Sequence, residues 1–459
     1  MRKRTHWLCA AFILSVTALL LVSSVAAQEY TSRMEVLQNE ALAGDFVLQG
    51  EYLAQIEGQD VGLHLIADGG GKFRFVVYIG GLPGAGWNTG GPRLLGTAAV
   101  SGNEITFDLT EERNVPAEMS PGKGETKGTI VRPQGGGGQG AGQGRGQGGG
   151  AGQFRGTPVR IEIPNHEAVF ERQFRQSPTM GAEAPEGALV IFDGTNLDKF
   201  RAGARINEVP ALQRPGGGQQ GQGPGQGQGQ GQRRNQNTLW AEAATTAFEK
   251  KPYKMHIEFM LSYMPQARGQ ARSNSGVYID ERYELQVLDS FGLEGADNEC
   301  GGFYTFARPA VNMCFPPLTW QTYEIDFTPA QWDGDRKTAN ARVTVKHNDV
   351  LIHENLELRN HTPGRRNEGP EPLGLYLQGH GNRVQYRNIW IQYQDWPAPV
   401  AQTEPAAEAT AQVVVEAAVQ VEATAEVAEA VPRARTVASQ PQASPQQQPL
   451  FPRLRALRR

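Results

Sequence analysis

The sequence predicts an all-β protein of two domains, and three observations carry that prediction. Short runs of alternating apolar and polar residues recur through most of the chain, with the period a half-buried strand imposes. Turn residues punctuate them at short intervals, and the second half shows no helical period. At 459 residues the chain is also too long for one ordinary core.

The N-terminus reads as an export leader. Arg2, Lys3 and Arg4 form a basic start, an apolar run follows from Trp7 to Val22, and small residues lead to Val25-Ala26-Ala27. Residues 1–27 are therefore expected to be a signal peptide cleaved before Gln28. The apolar run is short for a membrane span, so no permanent membrane anchor is expected, and the mature protein is placed in the periplasm or outside the cell. A net charge of −4 makes no electrostatic case for nucleic acid. Oligomeric state has no signature in the sequence.

Residues 45–175 read as a small all-β domain, with runs at Phe46 to Ile56, Val61 to Ile66, Phe73 to Ile79, Ile105 to Leu109, Gly128 to Arg132 and Pro158 to Ile163. The segment Gly80-Gly81-Leu82-Pro83-Gly84-Ala85-Gly86-Trp87 lacks the following helix that a phosphate loop requires. It reads as a surface loop that exposes Trp87 to a ligand. Many of the 56 glycines fall in two Gly/Gln tracts, at 134–153 and 216–232. Such sequence buries too little apolar surface to offset its ordering entropy, so both are expected to be loop insertions.

The second domain, 187–395, shows strands at Tyr253 to Leu261, Gly276 to Ile279, Tyr283 to Leu288, Gln321 to Phe327, Ala341 to Lys346, Val350 to His353, Leu373 to Gln378 and Val384 to Gln392. Many strands joined by short turns point to a sandwich. The tail, 401–459, passes from Ala/Glu/Val-rich to basic sequence and is expected to be disordered. Of three cysteines Cys9 leaves with the leader, and an oxidising compartment then suggests a Cys300–Cys314 disulfide. The alternative is two buried free thiols.

Alternation also sorts polar residues. Strand Tyr283 to Leu288 sets Tyr283, Leu285 and Val287 on one face, Glu284 and Gln286 on the other. The strand at 253–261 likewise sets His256 and Glu258 apart from its apolar residues, and Tyr376, Gln378 and His380 share a side. Arg387 lies on the last strand, where alternation leaves open which set faces the core. If these strands are neighbours, one face carries carboxylates, amides, a histidine and an arginine, an inventory suited to sugar hydroxyls and acid/base chemistry. Glu284-x-Gln286-x-x-Asp289 approaches the Glu-x-Asp-x-x-Glu motif of retaining β-glucanases. Its central residue differs, and an offset of five puts Glu284 and Asp289 on opposite faces of a regular strand, whereas double displacement needs two carboxyls about 5 Å apart. Asn274, Glu284, Asp289, Asp297 and Glu299 are hard oxygen donors that match no metal-loop pattern. A divalent cation such as calcium is allowed for, with no ligand set specified.

Several landmarks now stand in order: Leu189-Val190-Ile191-Phe192-Asp193-Gly194-Thr195-Asn196-Leu197, Ser273-Asn274-Ser275-Gly276-Val277-Tyr278, Tyr283 to Asp289, Cys300-Gly301-Gly302-Phe303-Tyr304, Trp320-Gln321-Thr322-Tyr323-Glu324, Leu377-Gln378-Gly379-His380-Gly381 and Arg387-Asn388-Ile389. In order and spacing, residues 187–393 resemble the 3-keto-disaccharide hydrolase domain family. The resemblance implies a concanavalin-like jelly-roll β-sandwich, preceded here by a small β domain, that cleaves 3-keto glycosides by proton abstraction, β-elimination and hydration. It implies Glu284 or His380 as base and Arg387 or a bound metal at the enolate oxygen. Glu258, Asn274, Gln286, Tyr304 and Gln378 would hold the carbohydrate substrate. A non-catalytic sugar-binding module and a glucanase-like hydrolase are the alternatives.

Overall fold

The computed structural model describes residues 27–117, 120–132, 160–163, 168–208 and 237–396. The expected leader up to residue 26, both Gly/Gln tracts and the tail from 401 lie outside the described residues. Among the described residues no helix is long and apolar enough to cross a membrane.

Eight antiparallel strands close into a barrel: Gly50–Ile56, Gln59–Gly69, Lys72–Ile79, Arg93–Ser101, Glu104–Arg113, Gly124–Val131, Arg160–Ile163 and Ala168–Gln173. Each pairs with its sequence neighbour, and the last returns to the first, so closure leaves no open edge. The expected run from Phe46 begins too early. Glu40–Leu48 is helical, with the Asn39 side chain accepting from the Ala41 N–H as its N-cap, and the strand starts only at Gly50. The strand Arg93–Ser101 escaped sequence reading because Gly96 and two alanines, Ala98 and Ala99, dilute its alternation.

The sandwich has a large sheet ordered Ile206–Asn207, Thr238–Trp240, Gln385–Tyr393, Tyr253–Met260, Trp320–Thr328, Ala341–His347 and Val350–Leu358, with Leu189–Phe192 also paired to Gln385–Tyr393. The facing sheet has four strands, Ala243–Ala244, Tyr376–Leu377, Asn274–Ile279 and Tyr283–Leu288. Between them Met255, Ile257, Phe259, Tyr323 and Ile325 of the large sheet meet Val277, Ile279, Leu285, Val287 and Leu377 of the small one.

That core does not stop at the sandwich. It continues through Ile66, Val76, Tyr78 and Trp87 on the outside of the barrel, so barrel and sandwich share one compact unit. Along the seam His64 stacks on Phe291 with ring centroids 4.4 Å apart, while buried Glu51 holds His64 at 3.1 Å and Arg175. Trp87 is therefore not the exposed ligand contact expected. Its indole N–H donates to the Pro92 carbonyl at 3.1 Å, and its ring packs edge-on against Tyr78. The expected disulfide is also absent: Cys300 and Cys314 are free, buried thiols, Cys300 Sγ lying 3.3 Å from the Tyr323 hydroxyl and Cys314 Sγ donating to the Leu288 carbonyl at 3.5 Å.

Candidate carbohydrate site on the small sheet

Asn274–Ile279 sits between Tyr283–Leu288 and Tyr376–Leu377, and its register builds the site. Val277 and Ile279 point into the core, which leaves Asn274, Gly276 and Tyr278 on the outer face. Tyr278 lies directly between Glu284 and Tyr376, and Gly276 is paired to Gln286 on one side. On the other side the Gln378 N–H donates to the Gly276 carbonyl at 2.8 Å. The Tyr304 N–H adds to the far edge, donating to the Glu284 carbonyl at 3.2 Å. The face thus reads Tyr376, Tyr278, Glu284, Tyr304 across one row and Gln378, Gly276, Gln286 across the next.

Gly276 is required by close approach. A Cβ there would collide with Glu284 Oε1, so the bare backbone lets the carboxyl lie over the middle of the face. Glu284 is buried, its Oε2 accepts from the Tyr278 hydroxyl at 2.8 Å, and among the described residues no cation pairs with it. Burial pushes its carboxyl up to about 7, with the Tyr278 hydrogen bond pulling the other way. Tyr278 is itself raised by burial and then by the neighbouring carboxylate.

Around this carboxyl the amides are organised. Gln286 Nε2 donates to Asn274 Oδ1 at 2.8 Å, and Asn274 Nδ2 donates to the Gln270 carbonyl at 2.9 Å. Gln378 Nε2 reaches the Tyr278 hydroxyl at 3.4 Å, whereas the buried Gln378 Oε1 has no partner among the described residues. An unsatisfied buried acceptor beside a carboxyl is an opening for a hydroxyl donor. Arg365, which sequence reading missed because its loop has no period, lies over the Tyr376 ring at 3.9 Å and pairs with Glu281 at 2.9 Å. His380 occupies an exposed bend two residues beyond Gln378.

Glu258 and Arg387 are corrections. Both stand on the large sheet, on the face turned away from the core, so the sandwich separates them from Glu284. Arg387 Nε donates to Glu258 Oε2 at 2.6 Å, and its guanidinium covers Trp320 at 3.9 Å. Asn388, at φ 46°, forms a bulge that turns both Arg387 and Asn388 outward, and its amide donates to Glu258 Oε1 at 2.8 Å. His256 bridges Glu258 and Glu324 at 3.4 and 2.5 Å. Over this network lies the chain entering the sandwich: the Gly181 N–H donates to Glu258 at 2.6 Å, and the Ala182 carbonyl accepts from Asn388 at 2.9 Å. The cluster pins a connector.

Asp289 is no partner for Glu284 either, since its Oδ2 accepts from buried Arg272 at 2.6 Å. Nor do the hard donors gather into a cation site. Glu299 accepts from the Gly295 and Ala296 N–H groups, and among the described residues no three His, Cys, Asp or Glu side chains converge as a metal would need.

An all-β sandwich with a carboxyl, amides and tyrosines on its open face presents groups suited to sugar hydroxyls. Comparison with known proteins finds that residues 187–392 match the family model of the 3-keto-alpha-glucoside-1,2-lyase-like domain. Two solved structures from Parabacteroides distasonis ATCC 8503, both named only as candidate glycosyl hydrolases, are also similar. The 2.13 Å structure is 22% identical with TM-score 0.35, covering 46% of this chain and 85% of that one. The 1.70 Å structure is 15% identical with TM-score 0.22, covering 33% and 74%. No curated protein matches the chain.

Proposed function

We propose that this protein cleaves the glycosidic bond of 3-keto glycosides, with Glu284 as the base. The observation that carries the reading is a buried carboxyl, raised to about 7 and paired with no cation among the described residues, lying over Gly276 in the middle of a tyrosine- and amide-lined face. A general base works best when its pKa lies near the operating pH. A ketone at carbon 3 acidifies the hydrogen on carbon 2, so one such base is enough.

Glu284 takes the proton from carbon 2, and the electron pair passes into an enolate at the carbon 3 oxygen. The enolate collapses to a carbon 1–carbon 2 double bond and expels the aglycone oxygen from carbon 1. Water then adds at carbon 1, and Glu284 returns its proton to carbon 2, restoring the 3-keto sugar. Arg365, on the Tyr376 side of the face, replaces Arg387 as the cation for the enolate oxygen. Gln378, Gln286, Asn274 and Tyr304 hold sugar hydroxyls, and His380 is left for the departing oxygen. The leader expected at 1–27 from the sequence supports action outside the cytoplasm.

The test is p-nitrophenyl 3-keto-glucoside with the mature protein in D2O. The expected result is nitrophenol release with deuterium entering carbon 2, and no release from the unoxidised glucoside. Glycan binding without release would make the protein a lectin. Release from the unoxidised sugar would make it an ordinary glycosidase.

A further inference from the structure

The barrel does not fill its own interior evenly. At one end Tyr52, Leu65, Phe73, Ile105 and Ile161 pack together under Leu48 of the preceding helix, and Tyr263 and Leu318 of the sandwich join the same cluster. At the other end the inward positions leave a cavity of about 410 Å³. Leu63, Phe75, Val77, Leu94, Phe107 and Phe170 wall it. Gly96 sets its shape: a Cβ there would come within 2.7 Å of the Phe75 ring, so the ring lies back against the strand.

We propose that this end of the barrel binds one small, uncharged, apolar molecule. Eight strands enclose a lumen wide enough for one small ligand when side chains do not fill it. The volume falls within the range of small-molecule sites, roughly 300–1,000 Å³. Close-packed interiors keep few voids larger than a water molecule, so a cavity of this size stands out. A sugar is excluded as occupant, because the inner walls offer hydroxyl groups almost no partners and burying unpaired hydroxyls is unfavourable. An anionic head group is disfavoured at the rim, where the two carboxylates Glu57 and Glu125 outnumber the one ammonium of Lys123. The site is separate from the Glu284 face and does not depend on the chemistry assigned there.

The experiment titrates the full-length protein with N-phenyl-1-naphthylamine and follows fluorescence. The expected result is saturable binding of one probe per chain, with Val77→Trp, which fills the lumen, weakening it at least tenfold while the melting temperature holds. Leu94→Phe, a smaller intrusion, gives a lesser loss and serves if Val77→Trp does not fold. Octanol should displace the probe and octanoate should do so at least tenfold less well. Absence of saturable binding, indifference to both substitutions, or tighter competition by octanoate would each overturn the proposal.

Discussion

The sandwich carries two polar faces of nearly the same composition, and they have opposite fates. On the large sheet Glu258 is surrounded by Arg387, Asn388, His256 and the Gly181 N–H, and its carboxyl is held at about 2 despite burial. On the small sheet Glu284 has one hydroxyl donor and is raised to about 7. Burial disfavours the charge at both sites, and the partners decide the outcome. A carboxylate satisfied on every side stabilises a connector. One left nearly alone keeps its affinity for a proton, which is what a base requires.

The largest effect expected from this contrast is on catalysis. Glu284→Gln should lower release from a 3-keto glycoside by at least about 10²-fold, the usual contribution of a positioned base. It should also change the pH dependence of stability. Because the folded carboxyl sits near 7 and its ordinary value is 4.5, the native state binds the extra proton between those limits, so stability falls as pH rises through them. Melts of wild type and Glu284→Gln should therefore agree near pH 5, with the variant more stable at pH 8. Equal release by variant and wild type would remove Glu284 from the mechanism.

Glu258→Gln should do the reverse. It leaves Arg387 and His256 without their shared carboxylate, and denaturant unfolding should show a loss of about 3 kcal/mol, the lower end for breaking a buried pair because Arg387 keeps some contact with water. The kcat of the folded fraction should hold. The network's own pH window follows from its two shifts. Glu258, lowered from 4.5 to about 2, loses its contribution as pH falls through that range, and His256, raised from 6.5 to about 8, loses its own as pH rises through that one. A large fall in kcat would mean the two faces communicate.

The smallest effect sharpens the contrast most. Tyr278→Phe removes the one hydroxyl that favours the Glu284 carboxylate and keeps the ring. The carboxyl should rise further, moving the acid limb of the kcat profile upward by about half to one unit. A limb that moves down, or stays, would show that Tyr278 does not hold Glu284 in solution.

Much of this was legible in the chain. Alternation set Glu284 and Gln286 against Leu285 and Val287, and the structure has them so. It equally separated Glu258 from Ile257. It could not show that these strands join different sheets, because period two orders side chains about a strand and carries no information on which strand lies beside it. Arg387 was ambiguous for a related reason: the bulge at Asn388 breaks the period where the face had to be read. Trp87 looked like a loop residue among glycines, yet the seam between barrel and sandwich buries it. Cys300 and Cys314 sit together as expected, though as free thiols.

By itself, then, the sequence determined the all-β class, most of the strands and the face that Glu284, Gln286 and Glu258 occupy, because backbone alternation and turn chemistry are local. Only the tertiary structure decided that, among the described residues, Glu284 has no cation while Glu258 is ringed with partners, and that the barrel keeps an apolar cavity. Partners and voids arise where distant segments meet, and those meetings have no period to read.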